Sequence, residues 1–171
     1  MRTIRTKVYQ FNELNESAQQ KAIQSLSDIN VDFEWWEFTY SDAKSIGLQI
    51  TSFDLDRNKN CKGDLIWNAS EVCANILIEH GESCDTYLTA QEFLKEFNPI
   101  FSDYMNENSY LYESRELENI MQDLENGFLN NLLEDYATIL QKECEYLQSK
   151  DSIIKTIEAN NYEFTKEGNR F

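Results

Sequence analysis

The chain has 171 residues, of which 31 are acidic and 15 are basic, so its formal net charge is −16. Its hydrophobic fraction of 41% and aromatic fraction of 13% are enough for a packed core, which excludes a disordered acidic tail. The charge argues against a protein that binds nucleic acid through a basic face and against one that docks on an anionic membrane.

The first half of the chain predicts strands and amphipathic helices. Asn15 is placed as a helix N-cap, and Gly47 as a helix end. The polar segment 57–60 is typical of a turn between two strands. The predicted elements are a strand over residues 3–11, helices over 15–30 and 33–45, and strands over 48–55 and 62–67 that form a hairpin.

The second half predicts mainly helices. One of them stops near Pro99, because proline has no amide hydrogen to donate inside a helix. The longest has a continuous apolar stripe and a possible break near Gly127 or residues 130–131. The predicted elements are helices from Ser70, over 89–97, over 113–148 and over 152–160, followed by a closing strand pair between Tyr162 and Phe171.

These elements together predict an α+β fold in a single domain over residues 1–171. A small antiparallel sheet would combine the N-terminal strand, the central hairpin and the C-terminal strand pair, with helices packed on it. The helical part over about 85–150 is strongly acidic. Residues 101–150 alone carry 11 acidic and 3 basic side chains, which is half of the net charge.

This acidic helical segment is the main candidate for binding a partner. Helix faces usually mix charge signs, because i,i+4 ion pairs stabilise them. A nearly unmixed acidic face therefore indicates a surface that steers a basic partner, with a merely solvated face as the alternative. The candidate binding residues are Glu116, Asp123, Glu134 and Asp135, and after them Asp54 and Asp56.

Trp35 and Trp36 lie in the densest aromatic cluster of the chain. Neighbours on one helix point about 100° apart, so both rings cannot face the same core. We expect one to cover the hairpin and the other to lie at a rim or interface, and Trp36 joins the candidate binding residues. The pattern slightly favours the other interpretation, in which both rings pack between a helix and the sheet edge.

The hairpin contains a candidate site for magnesium or manganese. Asp54 and Asp56 share one face of a strand, and Asp64 lies on the facing strand. The alternative is an acidic hairpin end that nearby basic side chains offset. A calcium loop beginning at Asp54 is excluded, because its sixth and twelfth positions are Lys59 and Leu65 instead of glycine and glutamate.

Zinc is a second metal candidate, since Cys61, Cys73, His80 and Cys84 are residue types that bind it. Structural zinc ligands usually come in close pairs on tight turns, which Cys61 and Cys73 lack. Ordinary buried cysteines are the favoured interpretation. None of the four cysteines forms a C-x-x-C pair, and we expect free thiols in a reducing cytoplasm.

The sequence contains no catalytic motif. His80 is the single histidine, expected as a surface or cap residue, and G-x-S-x-G is absent. The five glycines form neither a P-loop nor a G-x-G-x-x-G motif. We therefore predict a binding protein without cofactor or metal. No stretch approaches the roughly 20 apolar residues of a membrane helix, and we expect neither a secretory signal nor membrane binding.

Several segments resemble a group of small proteins from phages and mobile elements, which are loosely labelled as antitoxins of toxin–antitoxin stability systems. The similar segments lie towards both ends of the chain. They are KVYQFNEL (7–14), DFEWWE (32–37), DAKSIGL (42–48), FDLDR (53–57) and IEANNYEFT (157–165), followed by Gly168. The resemblance implies a regulatory or counter-defence role in a host-cell cytoplasm, and it supplies no catalytic residues.

Charge and resemblance together predict an acidic inhibitor that acts stoichiometrically. The expected partner is a basic nucleic-acid-binding host protein, foremost a CRISPR effector nuclease, whose groove the acidic face would occupy as a nucleic-acid mimic. One alternative is an antitoxin that neutralises a cognate toxin through apolar contacts. Another is a small metal-dependent hydrolase that uses Asp54, Asp56 and Asp64. A homodimer would also be compatible with the apolar stripe of the long helix.

Overall fold

The computed structural model describes residues 7–57, 59–105 and 114–171. The chain divides into two compact units, which are unit 1 (Met1–Trp35 and Lys142–Phe171) and unit 2 (Trp36–Gln141). The described residues form, in chain order, β1 (Tyr9–Gln10), α1 (Glu16–Ser25), α2 (Glu37–Ile46), β2 (Leu48–Asp54), β3 (Asn60–Leu65), α3 (Ala69–Glu79), α4 (Asp85–Met105), α5 (Ser114–Leu147), α6 (Lys150–Ala159) and β4 (Glu163–Phe164). Two compact units can still belong to one domain, so the single domain stays a prediction.

The predicted α+β class is confirmed, but the strands form two sheets instead of one. β1 pairs with β4, antiparallel, with Tyr9 opposite Phe164. Among the strands that the structure describes, β2 pairs with β3 alone, also antiparallel. The N-terminal strand is shorter than predicted, because Phe11–Glu13 turns into one turn of 3-10 helix directly after β1. Residues 3–6 of that predicted strand lie outside the described residues.

Unit 1 is built around a small apolar core between α1, α6 and the β1–β4 pair. The Phe11 and Phe164 rings meet edge to face, with their centroids 6.2 Å apart. Gly168 has a φ of +81°, and an added Cβ there would collide with the carbonyl oxygen of Ala18. The buried residues of this core are Phe11, Leu14, Ala18, Ala22, Ile153, Ile157 and Phe164.

Unit 2 packs α2, the β2–β3 hairpin and the helices that follow it up to Gln141 around a second set of buried residues. The register of the hairpin shifts between Ile50 and Ser52, opposite Gly63, which is a β-bulge. The buried apolar residues of unit 2 include Ile46, Leu48, Ile50, Val72, Cys73, Ile76, Phe93, Phe97, Phe128, Leu132, Tyr136 and Leu140.

Helix ends follow the capping residues in some places and not in others. The Asn15 side chain accepts the amide of Ala18, as an N-cap does, and Gly47 ends α2 in the left-handed conformation. α1 ends at Ser25, five residues earlier than predicted, in a series of turns over 26–31. α2 begins at Glu37 instead of 33, because the amide of Trp35 donates to the carbonyl of Phe33 in a tight turn.

Of the two longest helices, α4 contradicts its prediction and α5 confirms it. α4 contains Pro99 inside it and continues to Met105, so the predicted stop is wrong. The Phe97 and Phe101 rings stack on either side of this position, with their centroids 5.7 Å apart, and Phe93 of the same helix stacks on Phe128 of α5. This aromatic packing offsets part of the cost of the missing hydrogen bond. α5 continues without a break through Gly127 and residues 130–131. The predicted first residue of that helix, Glu113, lies outside the described residues.

Candidate partner-binding surface

α4 and α5 run antiparallel in unit 2, and aromatic rings pack between them. The Phe93 ring stacks on Phe128, with centroids 4.7 Å apart and planes 29° apart, and also on Phe97 at 4.9 Å. Towards one end, the Thr89 hydroxyl donates to Asp135 Oδ2 at 2.6 Å. Towards the other, the Tyr104 hydroxyl donates to Glu118 Oε1 at 3.2 Å. These pairs fix which parts of the two helices face each other.

A groove of about 140 Å³ lies between the two helices. Its apolar residues are Phe93 and Phe128, which are 5% and 2% exposed, together with Leu124. Its polar residues include the exposed carboxylates Glu92, Glu96 and Asp123 and the uncharged Thr89 and Asn131. Gly127 completes the lining. The groove thus combines apolar side chains with carboxylates from both helices.

The carboxylates along this groove belong to two longer rows. At 100° per residue, the four acidic residues of α4 fall within about 40° of one another around the helix axis. Three acidic residues of α5 fall within about 20°. The α4 row is Asp85, Glu92, Glu96 and Asp103, and the α5 row is Glu116, Asp123 and Glu134. Each row spans 18 residues, or about 27 Å of helix.

The structure separates Asp135 from the other three candidate residues of α5. Glu116, Asp123 and Glu134 are exposed, whereas Asp135 is half-buried and accepts the Thr89 hydrogen bond. Burial raises the pKa of Asp135, and the nearby carboxylates Asp85, Glu134 and Glu92 raise it further, although the Thr89 hydrogen bond opposes them. The charged form of Asp135, at one end of the groove, is therefore disfavoured by burial and by repulsion from its neighbours.

The sequence analysis did not predict the α4 row. Its spacing of seven, four and seven residues is visible in the chain, but the predicted helix stop at Pro99 cut the pattern before Asp103. An aromatic repeat on the same segment gave a signal that the helix continues. Phe93, Phe97 and Phe101 recur every four residues, the spacing of one helix face.

The hairpin register keeps Asp64 apart from the other two candidate metal ligands, Asp54 and Asp56. Asp54 lies opposite Asn60 at one end of the hairpin, whereas Asp64 lies opposite Gln49 near the other. Five residues separate Gln49 from Asp54, or about 17 Å of strand. The Asp54 carboxylate accepts the backbone amide of Asp56 at 2.9 Å, so it forms part of the turn. Asp54 and Asp56 are both exposed.

The candidate zinc ligands are also dispersed. Cys61 and Cys73 are buried, as expected, and burial raises the pKa of their thiols to about 11 and about 12. Cys84 is exposed and Cys144 is half-buried, so neither is a core cysteine. Within residues 7–57, 59–105 and 114–171, no three His, Cys, Asp or Glu side chains come together as a metal site.

Trp36 lies just before α2 and contacts the hairpin. Its ring meets Phe53 edge to face, with centroids 5.4 Å apart, and Tyr40 meets the same Phe53 at 6.2 Å. Trp36 is half-buried, whereas Trp35 is 7% exposed. Trp36 is thus the one that covers the hairpin, and it leaves only part of its ring for a partner.

A polar cluster in unit 2 was not foreseen. His80 caps the C-terminal end of α3, and its Nδ1 lies 2.7 Å from the hydroxyl of Thr86. Its Nε2 lies 3.6 Å from Asp42 Oδ2, which also accepts a 2.8 Å hydrogen bond from the Tyr136 hydroxyl. The His80 contact and the Tyr136 hydrogen bond lower the pKa of Asp42 against the opposing effect of its partial burial.

This order of groups, Asp42, His80 and Thr86, resembles the acid, base and hydroxyl of a hydrolytic triad. Thr86, however, is 1% exposed, so its hydroxyl is closed to a substrate. Asp42 lies on α2, His80 ends α3, Thr86 lies in the first turn of α4 and Tyr136 lies on α5. The cluster therefore connects four helices of unit 2, and its chemistry is structural. Sequence spacing alone gave no signal for such long-range contacts.

Comparisons with models of protein families, with curated proteins and with solved structures find no match. In the part of the chain that the structure describes, no helix is both long and apolar enough to cross a membrane.

Proposed function

We propose that this protein is an acidic inhibitor that occupies the basic nucleic-acid groove of a host defence nuclease, foremost a CRISPR effector. The observation that carries the proposal is the pair of acidic rows on α4 and α5. α4 and the part of α5 up to Gln141 together contain ten acidic side chains and two basic ones, Lys95 and Arg115. A surface of one sign attracts and orients a partner of the opposite sign.

The density of charge along this surface suits a mimic of one nucleic-acid strand. The two rows place seven carboxylates along about 27 Å of helix, or about one per 4 Å. A nucleic-acid strand carries about one phosphate per 3.4 Å, and a duplex about one per 1.7 Å. A basic groove that accommodates a single strand therefore meets a similar number of negative charges on this surface.

Asp135 adds a second argument for a cationic partner, and it depends on carboxylates of the same two rows. Its pKa is raised by burial and by three surrounding carboxylates. A Lys or Arg side chain docked at this end would offset that repulsion, so part of the binding free energy would come from relief of an unfavourable state. The resemblance to phage and mobile-element proteins supports a defence nuclease as the basic partner.

The experiment is a cleavage assay with a panel of purified CRISPR effector nucleases and increasing amounts of the full-length protein. The test variant is the triple substitution Glu92→Gln, Glu96→Gln and Asp123→Asn, which neutralises the groove. The matched control is Glu158→Gln, Glu163→Gln and Glu167→Gln, which removes the same charge from exposed positions of unit 1. We expect stoichiometric inhibition by wild type and control, and a loss of about tenfold or more in the groove variant.

Two results would contradict the proposal. One is no inhibition of any effector at molar excess, and the other is equal inhibition by wild type and groove variant. A pull-down from bacterial lysate at low and high salt identifies the partner class in parallel. A small partner that is retained at high salt would favour the antitoxin alternative, because apolar contacts are not screened by salt.

A further inference from the structure

We propose that the α4–α5 groove is a slot for one arginine side chain of the basic partner. The inference rests on the proposed function for the identity of the partner, whereas the recognition chemistry can be tested separately. A volume of about 140 Å³ is well below the roughly 300 Å³ at which pockets for small-molecule ligands begin. The groove therefore has the size for a side chain.

The lining matches the two chemical parts of an arginine. Leu124 and the small exposed edges of Phe93 and Phe128 offer an apolar surface to the methylene stem. Glu92 and Glu96 approach from α4 and Asp123 from α5, so carboxylates flank the groove on both sides. The guanidinium group presents five donors in a plane and binds carboxylates in pairs, whereas a lysine ammonium is a compact point charge.

Gly127 is the observation that points to an approaching ligand. A glycine in a helix interior is about 1 kcal/mol less favourable than alanine. A Cβ added at Gly127 would meet no other atom within 4 Å, so packing inside the protein does not require a glycine there. The missing side chain leaves open the wall of the groove on α5, between Leu124 and Asn131. A ligand that enters between the helices would use this space.

The test is a titration of the isotope-labelled full-length protein with N-acetyl-arginine methylamide, followed by NMR. The citrulline analogue, which has nearly the same shape without the charge, and the lysine analogue are the comparison probes. The variant Gly127→Leu fills the groove without changing any charge. The matched control Asn130→Leu places the same side chain on a nearby exposed position of α5 outside the lining.

We expect the arginine probe to shift the amide signals of Thr89, Gly127 and their neighbours. It should bind at least about fivefold more tightly than either analogue. Gly127→Leu should raise its Kd at least about fivefold, and Asn130→Leu should leave it within about twofold. Glu92→Gln tests the same slot through an exposed charge, so the inference stays testable if Gly127→Leu disturbs the helix.

Equal binding of arginine and citrulline probes would overturn the slot, and so would unchanged arginine binding in both Gly127→Leu and Glu92→Gln. The two proposals fail separately. If Gly127→Leu still inhibits a nuclease and the arginine probe does not bind, the inhibitor stands without the slot. If the arginine probe binds in the groove and no nuclease is inhibited, the slot stands without the inhibitor.

Discussion

Asn30 is a buried amide whose three hydrogen bonds connect distant parts of unit 1. Its Nδ2 donates to the carbonyl of Leu147 at 2.9 Å and to the hydroxyl of Ser152 at 3.1 Å, and its Oδ1 accepts from Thr156 at 2.7 Å. The Leu147 carbonyl lies at the end of α5, where backbone acceptors have no partner within the helix. The side chain therefore satisfies a helix end and fixes α6.

We predict that Asn30→Ala lowers the free energy of unfolding by about 2–3 kcal/mol, because it leaves buried polar groups without partners. Urea denaturation measures the change. Asn160→Ala is the control, since Asn160 is exposed and its side chain donates to the Thr156 carbonyl at 2.8 Å. If both variants lose the same free energy of unfolding, burial of the Asn30 hydrogen bonds is not the cause of the loss.

Asp135 shows how a half-buried carboxylate among other carboxylates lowers stability at the level of one residue. Its pKa is raised in the folded state by burial and by neighbouring carboxylates. The folded protein therefore holds this proton more tightly than the unfolded chain does. The resulting penalty is absent below the ordinary pKa of about 4 and fully present above the raised pKa.

We predict that Asp135→Asn raises the free energy of unfolding by roughly 0.5 kcal/mol at pH 7, the size of like-charge relief on a helix surface. The amide oxygen can still accept the Thr89 hydrogen bond. The gain should shrink as the pH falls towards 4, because the wild-type carboxyl, whose pKa is raised, is then increasingly protonated. Denaturant unfolding at pH 7 and pH 4 measures both values. An equal gain at both pH values would assign the effect to packing instead of charge.

At the level of elements, α4 keeps a proline in its interior. Pro99 is exposed and provides no donor for the carbonyl four residues earlier. We predict that Pro99→Ala raises the free energy of unfolding by about 1–3 kcal/mol. The neighbouring exposed substitution Asn98→Ala controls for helix propensity and should change it by less than about 0.7 kcal/mol. A lower stability of Pro99→Ala would show that the proline has a packing role in α4.

Gly168 and Gly127 predict opposite outcomes for the same substitution. Gly168 turns the chain before its last residues with a positive φ, and a Cβ there would collide with Ala18. Gly168→Ala should therefore lower the free energy of unfolding by about 2 kcal/mol or more. Gly127→Ala should raise it by up to about 1 kcal/mol, because its Cβ would enter open space in a helix. Thermal unfolding of both variants checks the two signs.

The elements that sequence predicted well are those fixed by local chemistry. Residues close in the chain determine these elements, which are the Asn15 cap, the Gly47 helix end, the hairpin and α6. The failures depend on distant contacts. Proline propensity was overridden in α4 by aromatic stacking with α5, and strand alternation alone could not show which strands share a sheet. The same holds for the candidate site. The residues of the α5 row were predicted, whereas the α4 row was not, because the predicted helix over 89–97 left out Asp85 and Asp103.

At the scale of the whole molecule, the net charge of −16 acts on stability and on binding with opposite signs. Within the folded chain the carboxylates repel one another, so salt that screens this repulsion stabilises the protein. Between the acidic rows and a basic partner the same charges attract, so salt weakens the complex. A protein whose acidic surface is merely solvated would show the first effect without the second.

We therefore predict that raising NaCl from about 50 mM to about 500 mM, which shortens the Debye length from about 14 Å to about 4 Å, raises the Tm and weakens the binding of the partner. The slope of log Kd against log salt should be smaller for the triple variant at Glu92, Glu96 and Asp123 than for wild type. The unit 1 control at Glu158, Glu163 and Glu167 has the same net charge and should keep the wild-type slope. Calorimetric unfolding and binding titrations over the same salt series provide both readouts. If the two triple variants lose slope equally, total charge governs association, and the position of the carboxylates along α4 and α5 has no special role.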